Sequence, residues 1–237
     1  MSTEQSEVNK NIDESLKVLR TIYAVLYVVG FREVLSSIDL SQGILHALIR
    51  AFLPGSVLVL IAVRMFWAVG NIRRYADQVE KTYLNTYPRD ESVRRHIFEG
   101  RTGVYIMIFD VPVLLLHSFA FFLLCKLMPI VLASNYALGS VRDFLAVFCA
   151  LLVLNVVWLL ALMIRDRRLA CAPQTVWLMN NVAFAVLSAA AWLASSARHE
   201  LIPDGATLFW ISMALCGFNS LVDLRLTAWA YLVGPPG

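Results

Sequence analysis

Six apolar runs, each about as long as a bilayer is thick, constrain this chain more than any other feature. They are Val18 to Ile38, Gly55 to Tyr75, Gly103 to Leu124, Phe144 to Ile164, Thr175 to Ser195 and Thr207 to about Val233. An α-helix rises 1.5 Å per residue, so roughly 20 apolar residues cross about 30 Å of hydrocarbon. The composition agrees. Of 237 residues, 59% are hydrophobic and 16% charged, with a mean hydropathy of +0.68, whereas soluble domains are about a quarter charged. A soluble globular fold is thereby excluded. The 11 Gly, 8 Pro and 4 Cys exclude a collagen-like chain and a disulfide scaffold. The strict alternation of a membrane β-barrel is absent. Lipid demands that backbone groups be satisfied within each segment, so the expected fold is all-α, a polytopic bundle of six transmembrane helices.

Basic residues set the direction of the spans. The N-terminal tail and first turn carry Lys10, Lys17 and Arg20. The second connection carries Arg73, Arg74, Lys81, Arg89, Arg94, Arg95 and Arg101, and the fourth carries Arg165, Arg167 and Arg168. These three regions hold thirteen of the 20 basic residues. The intervening connections hold only Arg50, Lys126, Arg142 and Arg198. An excess that alternates correctly through six spans predicts both termini on the cytoplasmic side of the cell membrane.

Residues 1–17 read as a short polar cytoplasmic tail. Its Glu4, Glu7, Asp13 and Glu14, with no small-residue cleavage site at the expected distance, argue against a cleavable signal peptide. No connection is long enough for a soluble domain. The longest, the basic loop 76–102, extends the second helix until Pro88 and restarts at Asp90. It is a candidate contact for anionic lipid, although topology alone also explains its charge. Gly43 to Phe52 forms an amphipathic stretch suited to the outer surface. A short tail, 234–237, follows the sixth span.

The chemistry, if any, lies in polar residues that lipid should exclude. An ionised side chain at the bilayer centre costs about 2.5–3.5 kcal/mol on insertion scales, so such groups face the bundle interior and find partners. Counting from the span ends gives two layers. Asn71, Asp110, Asn180, Asn181 and Asp223 lie in the cytoplasmic third; Arg64, His117, Asn155 and Asn219 lie nearer the middle. Arg32 and Glu33 extend the track outward as an outer polar pair. Asn219 and Asp223 are four apart and share a helix face; Arg225 does not. Arg64 and Asp110 sit on consecutive helices, so a pair between them is expected, with Arg74 or Arg225 left for Asp223. Pro112, just after Asp110, predicts a bend in the third helix.

The fifth span is small-sided, with Ala185, Ser188, Ala189, Ala190, Ala191, Ala194, Ser195 and Ser196. Such a helix is expected either at the centre of the bundle or at a homo-oligomer interface. Trp177, Trp192, Trp210 and Trp229 fall near span ends, as an interfacial belt requires, while Trp67 and Trp158 are deeper and read as packing. Cys125 and Cys149 both lie towards the outer side, which leaves a disulfide open. No metal site, haem pair, phosphate loop or nucleophile motif is present, so no cofactor and no nucleic-acid partner is expected.

These observations favour a channel or transporter for protons, ions or a small solute, with the polar residues as its path. The alternative is a non-catalytic assembly partner, sensor or effector whose polar residues are structural. An intramembrane enzyme acting on lipid through Asp110, His117 and Asp223 is the weakest of the three readings.

Overall fold

The computed structural model describes residues 3–36, 41, 43, 45, 52–65, 109–165, 172–196, 201–202 and 204–232. Every regular element among them is a helix. They are α1 (Thr3–Ser36), α2 (Leu53–Met65), α3 (Val111–Ala133), α4 (Leu138–Arg165), α5 (Ala172–Ala194) and α6 (Gly205–Leu232). Helices α3 to α6 are each long and apolar enough to cross a membrane. Helix α1 is long enough, but Arg20, Arg32 and Glu33 interrupt its apolar stretch. The described part of α2 is apolar but too short to cross. The rest of the second apolar run, with Asn71, Trp67 and the whole basic loop 76–102, lies outside the described residues.

Pairs of residues fix the direction of each helix. Tyr23 reaches the Leu114 carbonyl, Gly30 lies against Cys125 and Glu33 pairs with Lys126. Positions rise together, so α1 runs parallel to α3. Val57 lies beside Gly217 and Arg64 beside Asn219 and Asp223, so α2 runs parallel to α6. Asp110 with Trp158, and Trp158 with Trp177, show that α3 and α5 run opposite to α4. Asn180 with Asp223 sets α6 opposite to α5. The direction therefore alternates along the chain.

Helix α4 is the hub, packed against α3, α5 and α6. Helix α5 is at the edge: 17% of its apolar stretch is buried, against 39–44% for the other three. Of the two places expected for a small-sided helix, the centre of the bundle or a subunit interface, this burial does not fit the centre. Its small residues allow close approach on one side only, while Met179, Val182, Val186 and Leu193 form an exposed stripe.

The burial pattern is inverted relative to a soluble protein. Arg64, Asp110, Asp223, Asn181 and Asn219 are inside, whereas Val153, Val157, Leu160 and Ile164 form an exposed row along α4 and Phe119 and Phe218 face outward. An apolar exterior of this extent needs an apolar solvent, and with the four long apolar helices it marks a membrane protein.

Helix boundaries depart from the apolar runs for local reasons. No Gly or Pro precedes Gly30, so no breaker interrupts the helix. Thus α1 starts at Thr3, and the polar tail is continuous helix with the apolar run. Helix α3 continues through Lys126 and Pro129 to Ala133. The turn to α4 is tight: Asn135 and Tyr136 both have positive φ, and the Tyr136 amide donates to the Val131 carbonyl at 2.9 Å. Gly205 opens α6 directly on this turn, where an added Cβ would sit 1.8 Å from the Tyr136 carbonyl oxygen. Tyr136 also packs on Phe209, with ring centroids 4.9 Å apart. These contacts lock the start of α6 to the α3–α4 turn and so set the depth of every residue along α6.

Candidate functional site

Arg64, near the end of the described part of α2, is the centre of the buried polar groups. Its Nη2 lies 2.5 Å from Asp223 Oδ2 of α6 and donates to Asn181 Oδ1 of α5 at 2.8 Å. Its Nη1 donates to Asn219 Oδ1, one turn before Asp223. The helical period puts Asn219 and Asp223 on one face. Because α2 and α6 run parallel, the long Arg64 side chain lies alongside both of them.

The network extends through the neighbouring helices. Asn155 Nδ2 of α4 donates to Asn181 Oδ1 at 3.2 Å, so that oxygen accepts from both Asn155 and Arg64. Asn180 Nδ2 donates to Asp223 Oδ1, and Asn181 Nδ2 donates to the Trp177 carbonyl at 2.9 Å. Adjacent residues on α5 thus serve two different partners. The roughly 100° between them directs Asn181 towards α4 and α2, and Asn180 towards α6.

Asp110 stands at the next position along this chain. Its Oδ1 accepts from Trp158 Nε1 at 2.9 Å, and Trp158 meets Trp177 edge-on with centroids 5.8 Å apart. Phe109 and Asp110 form a wide helical turn just before Pro112, which occupies the first turn of α3. Pro112 thus follows directly on a change from wide to regular helix. His117 lies two turns further along α3, also buried. Its Nδ1 is 2.7 Å from the Val113 carbonyl. A carbonyl only accepts, so Nδ1 carries the proton and Nε2 presents a lone pair. The ring faces Asn155 and Arg64.

The structure therefore brings together Arg64, Asn155, Asn180, Asn181, Asn219 and Asp223, and places Asp110 and His117 against them through Trp158 and Asn155. The two layers expected from depth form one cluster joined by the Arg64 guanidinium. The expected pair of Arg64 with Asp110 is corrected: Arg64 pairs with Asp223. Span order suggested the wrong neighbour because the long connection 76–102 does not force α2 and α3 together, while α6 brings two acceptors to Arg64. Arg225, considered as a partner for Asp223, is exposed.

Arg32 and Glu33 stand apart from this cluster. Arg32 is exposed, and Glu33 pairs with Lys126 of α3 at 2.9 Å, with both side chains more than a third exposed. Such a pair is worth little. Sequence reasoning missed two contributors. Trp158 was read as packing, yet its indole N–H serves Asp110; the clue was its place one turn from Asn155. Trp177 lies four residues before Asn181 on the same face of α5. Cys125 and Cys149 are free thiols. No cluster of metal-ligating side chains occurs among the described residues.

Compared with known proteins, the chain matches no family model, no curated relative and no solved structure.

Proposed function

We propose that this protein spans the cell membrane six times with both termini on the cytoplasmic side, and carries protons, ions or a small solute through its polar core. The observation that carries the reading is the convergence of α2, α4, α5 and α6 on one buried Arg64–Asp223 pair. Intramembrane charge is costly and is retained chiefly where it serves a path or a binding site. An unmatched polar atom beside the pair, Asn219 Nδ2, adds to this. The alternating helix directions and the basic connections support six spans and the orientation.

A second reading has its own observation. Arg64 is held by three acceptors at once, which is also how a structural lock is built, and this suits a non-catalytic assembly partner. Flux separates the two. Purified protein in liposomes should move protons, alkali cations or a small solute above the rate of empty liposomes, and Asp223→Asn should abolish or uncouple that movement. Absence of any such flux in the wild type would leave the assembly reading. Single cysteines at Gln5, Asn85 and Arg168 should label from the cytoplasm, and those at His46, Ala137 and Glu200 from outside. Two further proposals go with the membrane reading: anionic lipid at loop 76–102, and self-association through the exposed stripe of α5. Native mass spectrometry in lipid tests both.

A further inference from the structure

We infer that the solute handled by this core is a small carboxylate anion, which binds Arg64 in place of Asp223 and enters together with one proton. The inference rests on the transport reading above and names its substrate class.

The argument starts from the donors around Arg64. The internal ligand of the guanidinium is itself a carboxylate, Asp223, which also accepts from Asn180. One further buried N–H group beside this pair has no acceptor among the described residues: Asn219 Nδ2, whose own oxygen is taken by Arg64. Trp177 Nε1 faces Asp223 and loses that acceptor if Asp223 turns away. Both atoms can only donate. A buried donor without an acceptor is costly and rare in native proteins. The two donors come from α6 and α5 and flank the Arg64 guanidinium. A ligand that satisfies them must bring acceptors, and one that holds Arg64 in place of Asp223 must also replace its charge. A carboxylate matches on both counts, since arginine binds carboxylates through paired N–H groups.

Charge balance then requires a proton. Arg64 and Asp223 together are neutral. A second carboxylate at Arg64 would put two negative charges on one positive charge in a low-dielectric site, a loss that protonation of Asp223 removes. The proton goes to an Asp223 oxygen as that oxygen leaves Arg64, and anion and proton move as a neutral pair. Among the described residues the other titratable groups facing the pair are His117 from α3 and Cys216 from α6. Those from α4 and α5 are the neutral Asn155, Asn180, Asn181 and Trp177.

The test uses full-length protein in liposomes with lactate as probe, compared with empty liposomes and with chloride. Uptake is measured at two pH values about two units apart, one mildly acidic and one neutral. Wild type should take up lactate saturably and faster at the acidic pH, by up to about 100-fold, the limit for one coupled proton. Asp223→Asn, which mimics the protonated acid, should bind lactate equally at both pH values, read by fluorescence of Trp158 and Trp177. The pair Arg64→Gln with Asp223→Asn should fold without stranding a charge and bind no lactate. His117→Gln should keep the pH dependence. No lactate uptake or binding by wild type overturns the inference. So does pH dependence that survives in Asp223→Asn and vanishes in His117→Gln. If Asp223→Asn does not fold, an internal pH dye decides: one proton per lactate in wild type supports the inference, and lactate without protons overturns it. Flux of protons or sodium without lactate would overturn this inference while leaving the transport reading intact; absence of all flux would remove both.

Discussion

Removing one half of the Arg64–Asp223 pair should be worse than removing both. Asp223→Leu leaves the buried guanidinium with two neutral amide oxygens, from Asn181 and Asn219, and without its counter-charge on α6. Arg64→Met leaves the carboxylate without its cation and strips the Asn219 oxygen of its donor. Breaking a buried pair from either side costs about 3–5 kcal/mol. At about 2–4 °C per kcal/mol for a chain of this size, each single change should lower the unfolding midpoint by about 6–20 °C. The double change removes both charges and leaves two polar groups unserved, Asn219 Oδ1 and Asn180 Nδ2. Asn181 Oδ1 keeps its bond from Asn155. Unserved buried groups cost about 1–3 kcal/mol each, so the double change should cost about 2–6 kcal/mol, below the roughly 6–10 kcal/mol sum of the singles. Thermal unfolding in nanodiscs, followed by tryptophan fluorescence, measures all four corners of the cycle. Additive losses would refute the pairing. Arg64→Met combined with Asp110→Leu should be additive, because Asp110 is served by Trp158 and not by Arg64.

Three further outcomes follow from local geometry. Gly205→Ala places a methyl group 1.8 Å from the Tyr136 carbonyl oxygen, so α6 must shift off the α3–α4 turn; a loss of about 1–3 kcal/mol is expected for such overpacking, seen as a lower unfolding midpoint. Trp158→Phe removes the indole donor to Asp110 and should cost about 1.5–3 kcal/mol, seen as a lower unfolding midpoint. Asp204 caps α6 by accepting the Thr207 amide at 2.7 Å, and that contact with Thr207 holds its carboxyl below the usual carboxylate range. A lowered folded-state value means stability that is present above the unfolded-state value and lost as pH falls through the folded one. Asp204→Ala should therefore destabilise at neutral pH, with the difference from wild type shrinking as pH falls through the acid range, as unfolding midpoints across pH would show.

The inward face of α6 was legible because helical period converts sequence spacing into direction: Asn219 and Asp223 turn inward together, while Arg225, two residues on, is exposed. What the sequence did not contain was lateral neighbourhood. Nothing in the order of the spans says that α2 lies beside α6, so Arg64 was assigned to Asp110 from adjacency alone. The role of Trp158 was hidden for a related reason. An indole reads as packing until an acceptor is known to face its N–H, and that acceptor comes from α3, 48 positions earlier. The small residues of α5 were ambiguous in principle, since close approach needs a small face on one side only, whichever side that is.

The partner choice of Arg64 also carries a consequence for how the chain is made. Asn219 lies 155 positions after Arg64, and at 5–20 residues per second a ribosome needs roughly 8–30 s to cover that distance. Throughout that interval α2 holds a guanidinium whose carboxylate has not yet been synthesised. On the proposed six-span reading Arg64 lies near the middle of the second span, where an arginine costs about 2.5–3.5 kcal/mol on insertion scales, and α2 would be poorly retained in lipid by itself until α6 arrives. That reading gives biogenesis a checkpoint: the second helix would settle only after the sixth is delivered, and a nascent chain stalled before Asn219 would display an unneutralised charge to whatever surveys the membrane for unfinished proteins.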